Sequence, residues 1–93
     1  MNYNETENSL SVVTRTYPRE KYGEIKGKHG VYFVYAEAFE LCPDRLVIHM
    51  SVPSLKLGCQ STHLNSPFKL DSGLILQELF DTLVAEIRSL PYA

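Results

Sequence analysis

The sequence contains little cysteine and no long apolar segment. Only two of its 93 residues are cysteines, Cys42 and Cys59, which is too few for a secreted scaffold held together by disulfide bonds. No stretch approaches the ~20 apolar residues that span a bilayer. Residues 1–8 also lack the basic and apolar regions of a signal peptide. We therefore expect a cytoplasmic protein with reduced thiols and no membrane association.

The sequence also lacks a catalytic or cofactor motif. Its glycines at positions 23, 27 and 30 do not form the phosphate loop GxxxxGK[ST], so we interpret them as turn glycines. The acidic residues are scattered and do not pair as a general acid and base would. A cysteine nucleophile with a histidine base can be drawn, because such pairs are spatial, but no flanking signature supports it. We predict a protein that is not an enzyme and holds no cofactor.

A metal site is the alternative that the cysteines and histidines raise. Cys59 and His63 are four residues apart, and Cys42 and His49 could complete a Cys2His2 tetrahedron. Zinc sites normally use two closely spaced ligand pairs, however, and a predicted turn and strand separate Cys42 from His49. Two unpaired thiols and two surface histidines are the favoured interpretation, so we predict no metal.

Neither sign of charge dominates the chain. The net charge of −2 argues against a protein that is basic all over, as many nucleic-acid binders are, and against a strongly acidic mimic of DNA. With 44% hydrophobic and 22% charged residues, the composition is that of a globular protein. The length suits one domain. We expect a flexible segment over residues 1–8 and a single α+β domain over residues 9–93.

The strongest structural signal is a C-terminal amphipathic helix over residues 72–90. Asp71 or Ser72 can cap its start, and Pro91 marks its end. Its apolar residues cover nearly 180° of the helix, more than the ~100° stripe that one sheet face requires. Ile75 and Val84 at the margins therefore extend beyond that stripe, where they would contact either loop residues such as Leu64 and Phe68 or another subunit. We favour a homodimer, since two-fold dimers are the commonest oligomers. The apolar arc consists of Ile75, Leu76, Leu79, Phe80, Leu83, Ile87 and Leu90.

The preceding residues predict an antiparallel meander of four or five strands. A first strand over residues 10–16 is expected to stop before Pro18. Residues 22–26 and 31–36 flank a glycine-bounded loop and predict a hairpin. Residues 46–52 alternate as a strand, residues 55–57 predict a short edge strand, and the polar residues 58–67 predict a loop. The expected fold is an α+β domain whose C-terminal helix packs on one face of the sheet.

The most suggestive functional feature is a cluster of basic and aromatic residues in this hairpin. Five of the nine basic residues lie between positions 15 and 28, interleaved with tyrosines. Tyrosine and arginine often carry the energy of protein interfaces. Cations beside aromatic rings also hold single-stranded nucleic acids. The simplest alternative is a basic hairpin whose tyrosines belong to the core. The candidate partner-binding residues are Arg15, Arg19, Lys21, Tyr22, Lys26, Lys28, Tyr32 and Tyr35.

We interpret the sequence as a small non-enzymatic protein-binding module. It would act as a regulator, inhibitor or adaptor of a larger host or cellular protein, by analogy with accessory proteins of bacteria and phages. The alternative is a small nucleic-acid-binding protein that uses the same hairpin, residues 15–35.

Overall fold

The structure is a computed structural model that describes residues 12–42, 44–64 and 69–93. Four strands form one antiparallel sheet in the order β1-β2-β3-β4, and a helix follows them in the chain. The strands are β1 (Val12–Lys26), β2 (Val31–Cys42), β3 (Arg45–Val52) and β4 (Leu57–Leu64); a 3₁₀ turn spans Pro53–Leu55, and helix α1 spans Lys69–Ser89. The α+β class, the antiparallel meander and the C-terminal helix are confirmed.

The core is formed by residues of α1 and by one set of alternating strand residues. Successive side chains of a strand point to opposite faces, and β3 follows this rule along its whole length: every second residue is buried and the others are only partly so. The helix contributes residues spaced four apart, which recur on one side of a helix. The buried core residues are Ile25, Val34, Leu46, Ile48, Met50, Val52, Leu79, Leu83, Ile87 and Ala93.

The hairpin between β1 and β2 closes as expected, and the last residues of the chain lie against it. The backbone N–H of Gly27 donates to the carbonyl of Gly30 at 2.7 Å, and the N–H of Lys28 donates to the carbonyl of Ala93. Gly30 has φ 151°, a conformation that glycine adopts at no steric cost because it has no Cβ. The predicted turn at residues 27–30 is confirmed.

Two strand predictions are wrong. Pro18 does not end a strand, because β1 runs through it from Val12 to Lys26. Proline is tolerated there since β1 is an edge strand and the pairing with β2 shifts between Tyr17 and Glu20, where a ladder hydrogen bond is not required. The predicted loop after Leu57 is instead β4, which pairs with β3 up to Leu64.

Smaller differences concern the ends of elements. Residues 37–41, which follow the predicted hairpin strand 31–36, extend that strand as part of β2. The short strand predicted at 55–57 divides between the 3₁₀ turn and the start of β4. The helix begins at Lys69, so Asp71 and Ser72 lie within it and do not precede it. The expectations for residues 1–8, for the first two residues of the first strand and for residues 65–67 of the predicted loop lie outside the described residues, and so does Pro43 in the predicted turn after Cys42.

Candidate protein-binding surface

The register between β1 and β2 decides which face each candidate residue occupies. Residues directly opposite in an antiparallel pair share a face. Lys21 lies opposite Tyr35, and Lys26 lies opposite Val31. Tyr35 and Val31 alternate with the buried Val34 and the core-packed Tyr32, so they point away from the core. We call this side of the sheet the open face.

Part of the open face combines cations with exposed apolar groups, and we call this part the basic–aromatic patch. Its cations come from β1 and its apolar groups from β2. Phe33 and Val31 are each 46% exposed, which is high for large hydrophobic side chains in a small domain. A contiguous exposed apolar surface with a polar rim is typical of an interaction site. The patch consists of Arg19, Lys21, Lys26, Val31, Phe33 and Tyr35.

Two cation–π contacts organise the patch. The Lys21 ammonium lies 4.6 Å from the centroid of the Phe33 ring, and the Arg19 guanidinium lies 5.4 Å from that of Tyr35. Both distances are within the ~6 Å over which the ring quadrupole attracts a cation. The contacts place the charged groups of Lys21 and Arg19 over the rings, and both residues are exposed at the surface. The patch is therefore apolar at its centre and positive above it.

Acidic groups near the patch neutralise only part of its charge. Glu24 lies opposite Phe33 and forms an ion pair with Lys21 at 2.6 Å, with both side chains about half exposed. Exposed pairs of this kind contribute about 0–1 kcal/mol, so Lys21 can exchange Glu24 for another carboxylate. Further along the open face, Glu37 lies opposite His49, with 3.3 Å between Oε2 and Nδ1.

The other candidate residues do not belong to the patch. The Tyr22 ring lies 5.6 Å from that of Phe80 on α1, tilted by 53°, and Tyr32 packs against the core. These two tyrosines fit the alternative in which aromatic residues stabilise the fold. Lys28 lies in the hairpin loop, where its backbone binds the carbonyl of Ala93. The predicted set of eight residues is thus divided between the two faces of the sheet and the loop.

Arg15 belongs to a separate polar cluster near the start of β1. Its guanidinium lies 4.8 Å from the centroid of the Tyr17 ring, and the Tyr17 hydroxyl donates to the carboxylate of Glu40. This hydrogen bond, followed by burial, raises the pKa of the Tyr17 hydroxyl above its ordinary value. Thr14 donates to the Glu40 carbonyl at 3.2 Å. The two hydrogen bonds to Glu40 link β1 to β2.

The cysteines and histidines occupy different places in the sheet. Cys59 lies opposite the buried Met50, and His49 lies opposite Gln60, so Cys59 and His49 are on opposite faces. The Cys59 thiol donates to the Leu79 carbonyl at 3.4 Å; burial, and next the charge of Glu86, raise its pKa. Among the described residues, no three His, Cys, Asp or Glu side chains are grouped as metal ligands.

Sequence reasoning missed Phe33 as a member of the candidate surface. The signal was present, because alternation along β2 places Phe33 on the same face as Tyr35. The strand β2 is apolar on both faces, and it is central in the sheet, between β1 and β3. A central strand with two apolar faces usually has both of them covered. The half-exposed ring of Phe33 shows that this rule does not hold here.

The margins of the helix do not provide the exposed surface expected for a dimer. Ile75 and Val84 are both partly buried and pack against the core of their own chain. Among the α1 side chains that the structure describes, the exposed leucine is Leu74, at 69%. The predicted homodimer therefore needs a different interface, and it stays a prediction.

No protein-family model, no curated protein and no solved structure matches this chain. Within the described residues, α1 is the only α-helix, and it is not apolar enough over a sufficient length to cross a membrane.

Proposed function

We propose that this chain is a small, cytoplasmic, non-enzymatic protein-binding module that uses the basic–aromatic patch to hold an acidic surface of a larger protein. By occupying that surface it would act as a regulator, inhibitor or adaptor. The observation that carries the proposal is the position of Lys21 above the half-exposed ring of Phe33. This arrangement suits a partner surface on which a carboxylate lies beside an apolar group, because the carboxylate would pair with Lys21 and the apolar group would contact Phe33.

The composition of the patch favours a protein partner. Interfaces are enriched in aromatic residues and arginine and depleted in charge at their centre, and the patch has Val31 and Phe33 at its centre with cations above and around them. Arg19 and Lys26 add positive charge with no ion pair to a described carboxylate. A carboxylate-rich partner would be attracted over a distance and then fixed by contact with Phe33.

Single-stranded nucleic acid is the alternative that the same residues support. Phe33 and Tyr35 lie side by side on one sheet face, where bases can stack and cations can hold the phosphates. Stacking requires Lys21 and Arg19 to leave the ring faces that they now cover. Binding of this kind weakens with salt: three cations that each neutralise a phosphate give a log–log slope of about −2, from ~0.7 per phosphate.

The test uses charge reversal on the patch and on the helix. The tagged full chain is incubated with host-cell lysate with and without nuclease, and the affinity for the main captured protein is then measured. Lys21→Glu together with Lys26→Glu should weaken that affinity, and Phe33→Ala should weaken it by about 30-fold if Phe33 is an anchor worth ~2 kcal/mol. The matched control is Arg88→Glu, which reverses an exposed charge in the last turn of α1.

The outcomes separate the two functions. Protein binding is supported if one dominant protein is captured even after nuclease treatment. Its affinity should then be lowered by the patch variants and not by Arg88→Glu. If only nucleic acid is recovered, and its binding weakens with salt at the slope given above, nucleic-acid binding replaces protein binding as the proposed function. An unchanged affinity in all patch variants that remain folded by circular dichroism contradicts the assignment of the surface.

A further inference from the structure

The two edges of the sheet differ in how open they are to another strand. In the described residues, β1 and β4 are the edge strands. The outer side of an edge strand presents unpaired backbone N–H and C=O groups, which are a template for strand addition from another chain. Proteins that stay monomeric usually protect such edges with proline, lysine, bulges or charged side chains.

The edge formed by β1 carries all of these protective features. Its sequence contains Pro18 and six charged residues. Its pairing with β2 shifts at three places, between Val13 and Arg15, between Tyr17 and Glu20 and again after Lys21. Each shift bends and twists the strand, so its outer side is not a flat template.

The edge formed by β4 carries none of them. Residues 57–64 contain no proline, aspartate, glutamate, lysine or arginine. They pair with β3 in one unbroken register of eight residues, from Leu57 opposite Val52 to Leu64 opposite Arg45. This strand is regular, long enough for several additional ladder hydrogen bonds, and free of charges that would repel an added strand.

We propose that β4 is the dimerisation edge of this protein, where the β4 strand of a second copy adds in antiparallel orientation. A second copy is the occupant that this strand fits, because two neutral strands meet without the like-charge contacts that destabilise directly opposite residues. The copies are related by a two-fold axis, which makes the interface self-complementary.

The geometry restricts the register of this pairing. A two-fold axis perpendicular to the sheet places the helices of both copies on the same side of the extended sheet. The core-facing residues of one β4 must therefore lie opposite core-facing residues of the other β4. Gln60 on the axis satisfies this condition, since it then places Cys59 of one copy opposite Ser61 of the other. The two Gln60 carboxamides can also bond to each other, because each has both donors and an acceptor.

The dimer would extend the sheet to eight strands. Both helices would lie on one side, and both basic–aromatic patches would lie on the other, at the outer ends of the sheet. Two patches on one surface can bind a partner bivalently if their spacing matches that of its sites. The proposal itself rests on the two edges and is independent of what the patch binds.

The first experiment measures the mass of the full chain in solution by sedimentation equilibrium from micromolar to millimolar concentration. We expect a species of twice the 10.6 kDa mass of one chain. Gln60→Lys places two ammonium groups against each other on the axis and should dissociate the dimer. The control Thr16→Lys adds the same charge at an exposed position of β1 and should leave the dimer intact.

The second experiment locates the interface covalently. In a Cys42→Ser background, which removes the exposed thiol, Gln60→Cys should form a disulfide-linked dimer under mild oxidation. Opposite residues of antiparallel strands have Cα atoms about 4.5–5.5 Å apart, which is within the range of a disulfide. Thr16→Cys in the same background should stay monomeric on a non-reducing gel.

Each remaining outcome contradicts the proposal. A wild-type chain that is monomeric at every concentration excludes dimerisation at β4. A dimer that persists in Gln60→Lys and is not cross-linked by Gln60→Cys has its interface elsewhere. Circular dichroism of each variant shows that loss of the dimer is not loss of the fold.

Discussion

Leu83 is fully buried in the core that α1 shares with the sheet, and its replacement by alanine should remove a large part of the stability of the domain. Buried Leu→Ala substitutions lower the free energy of unfolding by about 2–5 kcal/mol, because burial is lost and a cavity remains. A domain of this length has about 5–14 kcal/mol in total, at ~0.05–0.15 kcal/mol per residue. We expect a loss of about 3 kcal/mol, near the middle of the range for such substitutions.

Leu74 supplies the matched control, because Leu74→Ala is the same chemical change in the same helix at a side chain that is 69% exposed. The two substitutions alter intrinsic helix propensity equally, so their difference measures burial. With an m value of about 1.5 kcal/mol per molar urea, Leu83→Ala should lower the unfolding midpoint by about 2 M. Leu74→Ala should change the free energy of unfolding by no more than about 0.5 kcal/mol. Equal effects in urea unfolding followed by circular dichroism would refute the described packing of α1.

Two further predictions concern glycine and cysteine. Gly27→Ala should destabilise the domain by about 1–3 kcal/mol, because the added Cβ would collide with the Tyr32 ring. Gly73→Ala should stabilise the domain by about 0.5–1 kcal/mol, because Gly73 has open space around it in α1. Urea unfolding measures both effects. Cys42 should react with a thiol reagent much faster than Cys59 at pH 8, because Cys42 is exposed while burial raises the pKa of the Cys59 thiol and so reduces its reactive thiolate. Single Cys→Ser variants identify each rate, and equal rates would contradict the half-buried position of Cys59.

Elements with a strong period could be predicted from the sequence alone. In β3, Ile48, Met50 and Val52 alternate with the polar residues His49 and Ser51, and the same alternation appears as burial. In α1, Leu79, Leu83 and Ile87 recur at helical spacing and are all buried. The period is visible in both cases because each element buries one side only, so its apolar residues repeat with the geometry of the backbone.

The two misassigned strands lack such a period for physical reasons. β4 is an edge strand in which Leu57 and Cys59, both packed against the core, are followed on the same face by the polar residues Ser61 and His63, so its composition resembles a loop. In β1, Pro18 is a valid stop signal for a central strand. At a bulge in an edge strand, however, a proline does not end the strand. Neither the edge position of β1 nor its bulge can be inferred before the pairing with β2 is known.

The candidate surface was predictable in composition but not in arrangement. The sequence shows that cations and tyrosines are concentrated in the hairpin, and Arg19, Lys21 and Tyr35 do lie together on the open face. Strict alternation along β1 would place Arg19 and Lys21 on the same side as Tyr17 and Ile25. The register shifts after Tyr17 and Lys21 reverse the alternation, so that the residues after each shift point to the opposite face from the one that strict alternation continued from the preceding residues gives. The arrangement of a surface that depends on bulges can therefore be inferred only when the pairing of the strands is known. The local sequence pattern does not reveal that pairing.

The distribution of charge explains how a chain with a net charge of −2 can present a basic surface. β1 carries four cationic and two acidic residues, whereas α1 carries two cationic and four acidic residues. The cations of the patch point away from the core to which α1 contributes, so the excess of acidic residues on α1 and the cations of the patch lie on different sides of that core. Such an asymmetry would orient the proposed acidic partner during its approach and raise the association rate. Because β1 and β4 are at opposite edges, a second copy added at β4 leaves this positive surface unobstructed, and the two proposed interfaces can be occupied together.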